Sequence, residues 1–334
     1  MKKILKISTH IRYIPLKTPF ITALRRVENI EFVRLYVECD DGTIGIGEAP
    51  ATFAITGEDI EIILESISSI KEELYGLDIQ SAIETLHKTT IGSSAKAALD
   101  MAFVSLLGFF KIEKTLPIQT DITISLNPKE KMLQDARVAF ENDMEILKVK
   151  LGSDIDHAIE VTQLLCKTLP QAKLLIDANQ AWSLEQSLKY LKMIKGLDIE
   201  LIEQPVVAAD LESLKIITDS TDIPILADEA TFTLADVKKV LETKSADMIN
   251  IKLMKCGGVT KAVEILEYAR EHSVTCMLGS MLEGPYSINA ALYLAFNYSD
   301  VIKYVDLDSP LLYKEPSQEL DFSFEGSSIC FQAH

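Results

Sequence analysis

The chain has 334 residues, 48% of them hydrophobic, enough for one large domain or two modest ones with sizeable cores. Fifty acidic against 33 basic residues leave a net charge of −17, which repels nucleic acid and anionic membrane surfaces and fits a soluble metabolic protein. The N-terminal MKKILKISTHIRY is too polar for a signal peptide and no long apolar run follows, so a cytoplasmic location is expected.

Five cysteines, Cys39, Cys166, Cys256, Cys276 and Cys330, are odd in number and form no CxxC, so neither a disulfide framework nor a zinc knuckle is indicated. They read as small apolar fillers.

Apolar alternation over residues 2–9 and NIEFVRLYVEC, the turn Asp40-Asp41-Gly42 and TIGIGEAP predict an antiparallel strand and hairpin. Helical spacing follows over 57–74, 79–90 and 93–110. Residues 1–112 thus read as an α+β domain. Two of its loops stand out. PFITALRRV, 19–27, carries Arg25 and Arg26 among apolar residues, where a guanidinium can pair with a carboxylate. EAPATFAITGE is less specific.

From Pro117 the pattern changes. IQTDITISL reads as a first strand, a helix over 128–142 follows, and then come five short apolar runs: ILKVKLG, KLLIDAN, IELIEQP, PILADEA and MINIKLM. Each ends in a charge, Lys150, Asp177, Glu203, Asp228 and Lys252, at separations of 27, 26, 25 and 24 residues. That period suits the strand, loop and helix unit of a (β/α) barrel, whose chemistry gathers at the carboxyl ends of its strands. Three carboxylates in one small volume repel one another unless a cation sits among them, and an all-oxygen set suits Mg²⁺. Lys148 shares a face with Lys150.

Helices are predicted over 154–168, 184–195, 210–219, 233–242, 258–272 and 285–296. VTCMLGSM, ending in Ser280, is the seventh strand and YVDLDSP the eighth. No eighth helix follows, and the tail is expected to return to the N-terminal domain. Asp306 and Asp308, two apart on a strand, face one side and need a cationic partner, either a second metal or a substrate ammonium. Gly257 and Gly258 read as a tight turn in preference to a phosphate cradle, since no Gly-Lys-Ser/Thr follows. The five histidines, His10, His87, His157, His272 and His334, all miss the strand ends.

Together, Lys-x-Lys at 148–150, DAN at 177–179, EQP at 203–205, ADE at 227–229 and NIKLMKCGG at 250–258 form a specific set. On these motifs the chain resembles the enolase superfamily, in its muconate-lactonizing subgroup, and most closely the dipeptide epimerases. The resemblance covers nearly the whole chain. It implies a (β/α)7β barrel, 113–311, under an α+β cap formed by 1–112 and completed by 312–334.

It also implies one Mg²⁺ per subunit on Asp177, Glu203 and Asp228, with Asn179 and Glu229 behind them. Lys150 and Lys252 would then pass a proton on and off a substrate α-carbon, with Lys148 kept charged beside the enediolate. Asp306 and Asp308 would bind the dipeptide's amino terminus, Arg25 a glutamate side chain, and backbone near Ser280 and Leu282 the peptide. L-Ala-L-Glu and L-Ala-D-Glu, a pair expected from peptidoglycan turnover, are the substrates this implies. Gly284 and Tyr286 lie where relatives vary.

o-Succinylbenzoate synthases, N-acylamino acid racemases and muconate cycloisomerases share the core residues but need no ammonium-binding DxD, and dehydratase branches use histidine bases. A catalytically silent barrel, binding only a metal or a partner protein, would be expected to lack one of the lysines or ligands; all are present. Sequence leaves homo-oligomer formation open.

Overall fold

The structure, a computed structural model, describes residues 2–112 and 117–332. The expected start of the barrel segment at 113 and His334 lie outside them. Three antiparallel strands, Ile4–Ile21, Arg26–Cys39 and Ile44–Pro50, form the cap sheet. Alternation in the second strand buries Val33, Leu35 and Val37 together with Ile63, Ile67 and Leu74 of the helix Ile60–Leu74. Helix Ser93–Leu106, whose residues are mostly buried, packs on the third strand so closely that a side chain at Gly47 would lie 1.9 Å from Ala98 O.

The first strand runs twelve residues beyond the predicted end at residue 9. Its middle, His10 to Tyr13, is exposed on both faces, and beyond it only Leu16 is buried, so little alternation continues past the predicted end. As a result the loop expected at 19–27 is the tip of a hairpin, with Phe20 opposite Val27 and Ile21 opposite Arg26. Only Thr22 to Arg25 turn, closed by Thr22 N donating to Arg25 O at 3.0 Å.

Eight parallel strands follow in sequential order: Ile122–Ile124, Ile146–Lys150, Lys173–Asp177, Leu201–Glu203, Ile225–Ala227, Met248–Ile251, Cys276–Gly279 and Ile302–Asp306. Asp121 N donates to Val305 O at 3.1 Å, bringing the last strand against the first. The predicted first strand was too long. Ile118–Gln119 belongs to a separate sheet, pairing with the tail hairpin Phe322–Glu325/Ser328–Phe331. The tail expected to return to the cap does touch it, through Leu16 opposite Tyr313 and Arg34 on Glu319 at 2.6 Å, before that hairpin turns under the barrel.

Leu175, Leu201, Leu226, Met248 and Met277 cluster into an apolar floor inside the barrel. The first three stand two residues before Asp177, Glu203 and Asp228, so alternation turns those carboxylates inward one layer above the floor. Two cap carboxylates tie the cap down. Glu48 accepts from Tyr286 N and Ser287 N at the start of helix Pro285–Asn297, and Asp100 accepts from Thr260 N at the start of helix Val259–Glu271. Asp100 thereby fills the anion position beside Gly258, where a side chain would meet its Oδ2 at 2.5 Å. The paired glycines are a turn.

Candidate active site

Lys150, Asp177 and Glu203 are adjacent in register, Lys150 opposite Asp177 and Asp177 opposite Glu203. Asp228 and Lys252 stand one residue past the fifth and sixth strands, and Asp306 ends the eighth. All six are buried. The mouth they surround also carries Arg25, Asn179, Glu229, Ser280, Leu282 and Asp308, around a cavity of about 50 Å³. Every sequence-predicted site residue lines this cavity except Lys148, Asp177 and Glu203, which lie beneath it.

Each carboxylate is matched by ammonium groups. Lys150 Nζ donates to Asp177 Oδ2 at 2.6 Å, and Lys252 Nζ to Asp228 Oδ2 at 2.6 Å. Lys148, 0% exposed, lies 2.7 Å from Glu203 Oε2, 2.5 Å from Asp306 Oδ2 and 3.5 Å from Asp177. Burial pushes the Lys148 ammonium down, but Asp306, Glu203 and Asp177 outweigh it and hold it well above the ordinary lysine value. Lys252 is likewise raised: burial opposes its charge and Asp228 more than compensates. A lysine that takes up a proton must first be neutral, and the Asp228 contact opposes that. In this arrangement its partner is a bare carboxylate.

The carboxylates are pulled in opposite directions by their surroundings. Burial and the neighbouring Asp177 push Glu203 up to about 7 against Lys148. Asp228 is buried too, yet Lys252 and Lys255 hold it well below the usual range. Glu229 rises to about 8 through burial and Asp228, and its hydrogen-bond partner is Asn179, at 3.4 Å, rather than a lysine.

Asp177, Glu203 and Asp228 fit a hard cation. They are fully oxygen donors on consecutive strands, and Glu203 Oε2 accepts no hydrogen bond although Lys148 Nζ is near. Lysines now draw each of the three to its own side. A second acidic group is tighter: ligand oxygens of Asp121, Asp306 and Asp308 lie within 4.8 Å of one another. Asp306 is engaged there by Lys148, and Asp308 Oδ2 accepts from Thr123 N at 2.7 Å.

Asp121 was missed from the sequence. It is 0% exposed with neither oxygen hydrogen-bonded to a donor, and burial with Asp306 holds its carboxyl well above the ordinary value. The signal was there, since Asp121 lies two before the inward Thr123. Lys255 was also missed; its Nζ donates to Asp228 Oδ1 and O at 2.6 Å and to Asn250 O at 2.8 Å. Gln204, at φ +36°, accepts from Asp228 N at 2.9 Å and Ala230 N at 3.1 Å, spending backbone strain to fix a strand end. Such roles depend on loop geometry that sequence spacing does not carry.

Two expected binding groups need qualification. Ser280 lines the cavity, but its N–H is committed to Asp306 O at 3.0 Å and is not a free donor for a peptide carbonyl. Arg25 reaches the cavity from the hairpin tip, and among the described residues it has no ion pair, whereas Arg26 pairs outside with Glu28. Burial alone lowers the Arg25 guanidinium to about 10. Among the histidines, His87 contacts Asp100 in the cap, and none of the described ones lines the mouth.

The sequence matches the mandelate racemase/muconate lactonizing enzyme N-terminal domain over residues 6–111 and the enolase C-terminal domain-like family over 131–329. The chain belongs to the enolase superfamily. Among superfamily relatives, an L-amino acid-D/L-Glu epimerase of Sulfurimonas denitrificans is 58% identical, covering 98% of this chain and 99% of the relative. The L-Ala-D/L-Glu epimerase of Bacillus subtilis is 37% identical over 98% and 94%. A solved substrate-liganded complex of the Bacillus subtilis epimerase superposes with a TM-score of 0.93 at 36% identity, covering 98% of this chain and 96% of the other. A dipeptide epimerase of Enterococcus faecalis, complexed with Mg and L-Leu-L-Tyr, gives 0.90 at 30% identity, with 98% and 96% covered.

Proposed function

We propose that this superfamily member is a Mg²⁺-dependent dipeptide epimerase that inverts the α-carbon of the second residue of L-Ala-L-Glu. The observation that carries the reading is the arrangement of charge around the mouth. Asp306 and Asp308 offer carboxylates at one end, Arg25 a guanidinium with no ion pair among the described residues, and Lys150 and Lys252 stand on strands four apart in an eight-stranded ring. A dipeptide ending in glutamate presents the complement: an ammonium, a distal carboxylate, and an α-carbon between two bases.

Lys150 and Lys252 approach that carbon from opposite walls, so one removes the α-proton and the other returns one to the opposite face. Lys148, held charged by three carboxylates, stays an ammonium and fixes Glu203 and Asp306. Asp177, Glu203 and Asp228 would hold a divalent cation, which would supply positive charge against the second negative charge that develops on the substrate carboxylate. Glu229 and Asn179 brace the mouth beside Asp228 and Asp177, with Asn179 N donating to Asp177 Oδ1 at 2.8 Å. Beside Asp306, burial and that neighbour raise the Asp121 carboxyl, which disfavours a third negative charge on that side of the site.

The corresponding division is a cap of 1–112 completed by 312–334 over a barrel of 113–311, supported by the Arg34–Glu319 and Leu16–Tyr313 contacts. No helix among the described residues is long and apolar enough to cross a membrane, and a cytoplasmic enzyme of small dipeptides fits the acidic chain. Proton NMR of L-Ala-L-Glu with protein and Mg²⁺ in D₂O tests the function. Loss of the glutamate α-proton signal with growth of the L,D diastereomer is expected; neither change, with folded Mg²⁺-loaded protein, removes the assignment.

Two consequences concern substrate ends. Arg25→Met is expected to lower kcat/KM for L-Ala-L-Glu by roughly 10²-fold while barely affecting L-Ala-L-Leu, because only the former leaves a carboxylate unpaired. Equal losses on both would assign Arg25 a structural role. For the amino end, burial and Asp306 push Asp308 up to about 6. An ammonium needs the ionised form, so KM should rise about tenfold as pH falls from 7 to 5, and an Asp308→Asn variant should lose that dependence along with its affinity.

A further inference from the structure

Each of the three carboxylates suited to a cation has one oxygen already committed within the protein. Asp177 Oδ1 accepts from Asn179 N at 2.8 Å, Glu203 Oε1 from Asn250 Nδ2 at 2.9 Å, and Asp228 Oδ1 from Lys255 Nζ at 2.6 Å. The remaining oxygens are differently placed. Asp177 Oδ2 and Asp228 Oδ2 meet Lys150 and Lys252, and Glu203 Oε2 accepts no hydrogen bond.

Two of these commitments come from one short stretch, Asn250 in the sixth barrel strand and Lys255 in the turn of helix Leu253–Cys256 behind it. Lys255 Nζ also donates to Asp228 O at 2.6 Å and to Asn250 O at 2.8 Å. None of its three acceptors carries a hydrogen, so together they use all three N–H groups of an ammonium. The Asp228 backbone is fixed from its other side as well, where its N–H donates to Gln204 Oε1 at 2.9 Å. Only Oδ2 of Asp228 is then left to exchange one cation for another. Asn250 is 0% exposed and joins the two halves of this brace, its amide on Glu203 and its carbonyl under Lys255.

We propose that Asn250 and Lys255 are positioning residues that leave Glu203 and Asp228 one donor oxygen each, and that this makes the centre select Mg²⁺ over the larger Ca²⁺. The proposal rests on the metal-binding part of the epimerase reading and adds which residues choose the ion.

The physical difference between the ions is in how they use carboxylates. Mg²⁺ takes six oxygens at about 2.0–2.1 Å and keeps several waters, so three single oxygens serve it. Ca²⁺ takes six to eight at about 2.3–2.6 Å and gains from carboxylates that offer both oxygens. For Glu203 or Asp228 to offer both, a buried N–H of Asn250 or Lys255 would lose its acceptor, with no water there to replace it. The cost falls on Ca²⁺ alone. A role for Lys255 through charge only would act on both ions equally, since both carry the same charge.

The test titrates full-length metal-free protein with MgCl₂ and with CaCl₂, reading the melting temperature, in wild type, Lys255→Met and Asn250→Leu. Lys255→Met keeps most of the buried stem, and Asn250→Leu keeps the side-chain shape while removing an oxygen that has no hydrogen bond. In wild type the Mg²⁺ midpoint is expected at least about tenfold below the Ca²⁺ midpoint. Each variant should narrow that ratio by about fivefold or more, chiefly by gaining Ca²⁺ affinity. The variants free different carboxylates, so a fold lost in one leaves the other to decide. Wild type stabilised by both ions at the same concentration overturns the proposal without any variant. Variants that shift both midpoints by one common factor, or that lower only the metal-free melting temperature, also overturn it. Absence of any Mg²⁺ stabilisation in folded wild type overturns the metal site itself, and this proposal with it.

Discussion

Lys150→Ala and Lys252→Ala should each abolish interconversion of the two epimers while retaining α-proton exchange with one of them. The expectation follows from position. Lys150 ends the second strand and Lys252 follows the sixth, so each faces one side of a carbon held between them. Removing one lysine leaves the other able to take a proton from the epimer that presents it and return solvent deuterium to the same face. Epimerisation should fall by about 10³-fold, within the span ordinarily attributed to a positioned acid or base. The retained exchange should be with opposite epimers in the two variants, read by NMR in D₂O. A structural role for either lysine predicts loss of exchange with both epimers together. Undiminished epimerisation in both variants would instead remove both lysines from the proton transfer.

The strand-end charges were readable because barrel geometry repeats: an inward residue every strand, one height, a period near 25. Lys150, Asp177, Glu203, Asp228 and Lys252 needed only that rule. The helices were readable for a related reason, since Lys129–Glu141 and Val259–Glu271 keep one apolar stripe facing the barrel. What failed was local and non-repeating. Past residue 9 the strand Ile4–Ile21 is held by backbone pairing, with His10 to Tyr13 exposed on both faces and only Leu16 buried, so hydrophobic pattern barely marks it. Ile118–Gln119 has strand character but takes its partner from residues some two hundred positions later, a contact that periodicity cannot express.

Asp121 and Lys255 escaped for a different reason: their importance lies in what surrounds them. An acidic residue opening a strand and a lysine on a short helix look ordinary until the fold places one under Asp306 and the other on Asp228. The pairing of Lys252 with Asp228 likewise sets the direction of its pKa, because burial and a neighbouring carboxylate oppose each other and the carboxylate wins.

The acidic set makes the second strong prediction. Glu203→Gln should reduce catalysis by about 10³-fold or more and abolish stabilisation of the fold by Mg²⁺, since ligand binding raises stability only where the native state holds the ligand. Glu203 is the central ligand of the three, is 0% exposed, and has an oxygen without a hydrogen bond. Burial and Asp177 raise it to about 7 against Lys148. A proton therefore competes with the metal below pH 7, and the Mg²⁺ midpoint should rise about tenfold per pH unit between 7 and 5. A midpoint that stays constant across that range would falsify the assignment of Glu203 as a ligand. In metal-free protein the sign for stability is the reverse. The native state keeps a proton on Glu203 up to about 7 that the unfolded chain releases near the ordinary glutamate value of 4.5. This group's contribution therefore falls as pH rises from 4.5 toward 7, where Mg²⁺ binding restores what the buried carboxylate costs. Melting temperatures with and without Mg²⁺ at pH 5 and 7 should converge at the lower pH and separate at the higher one.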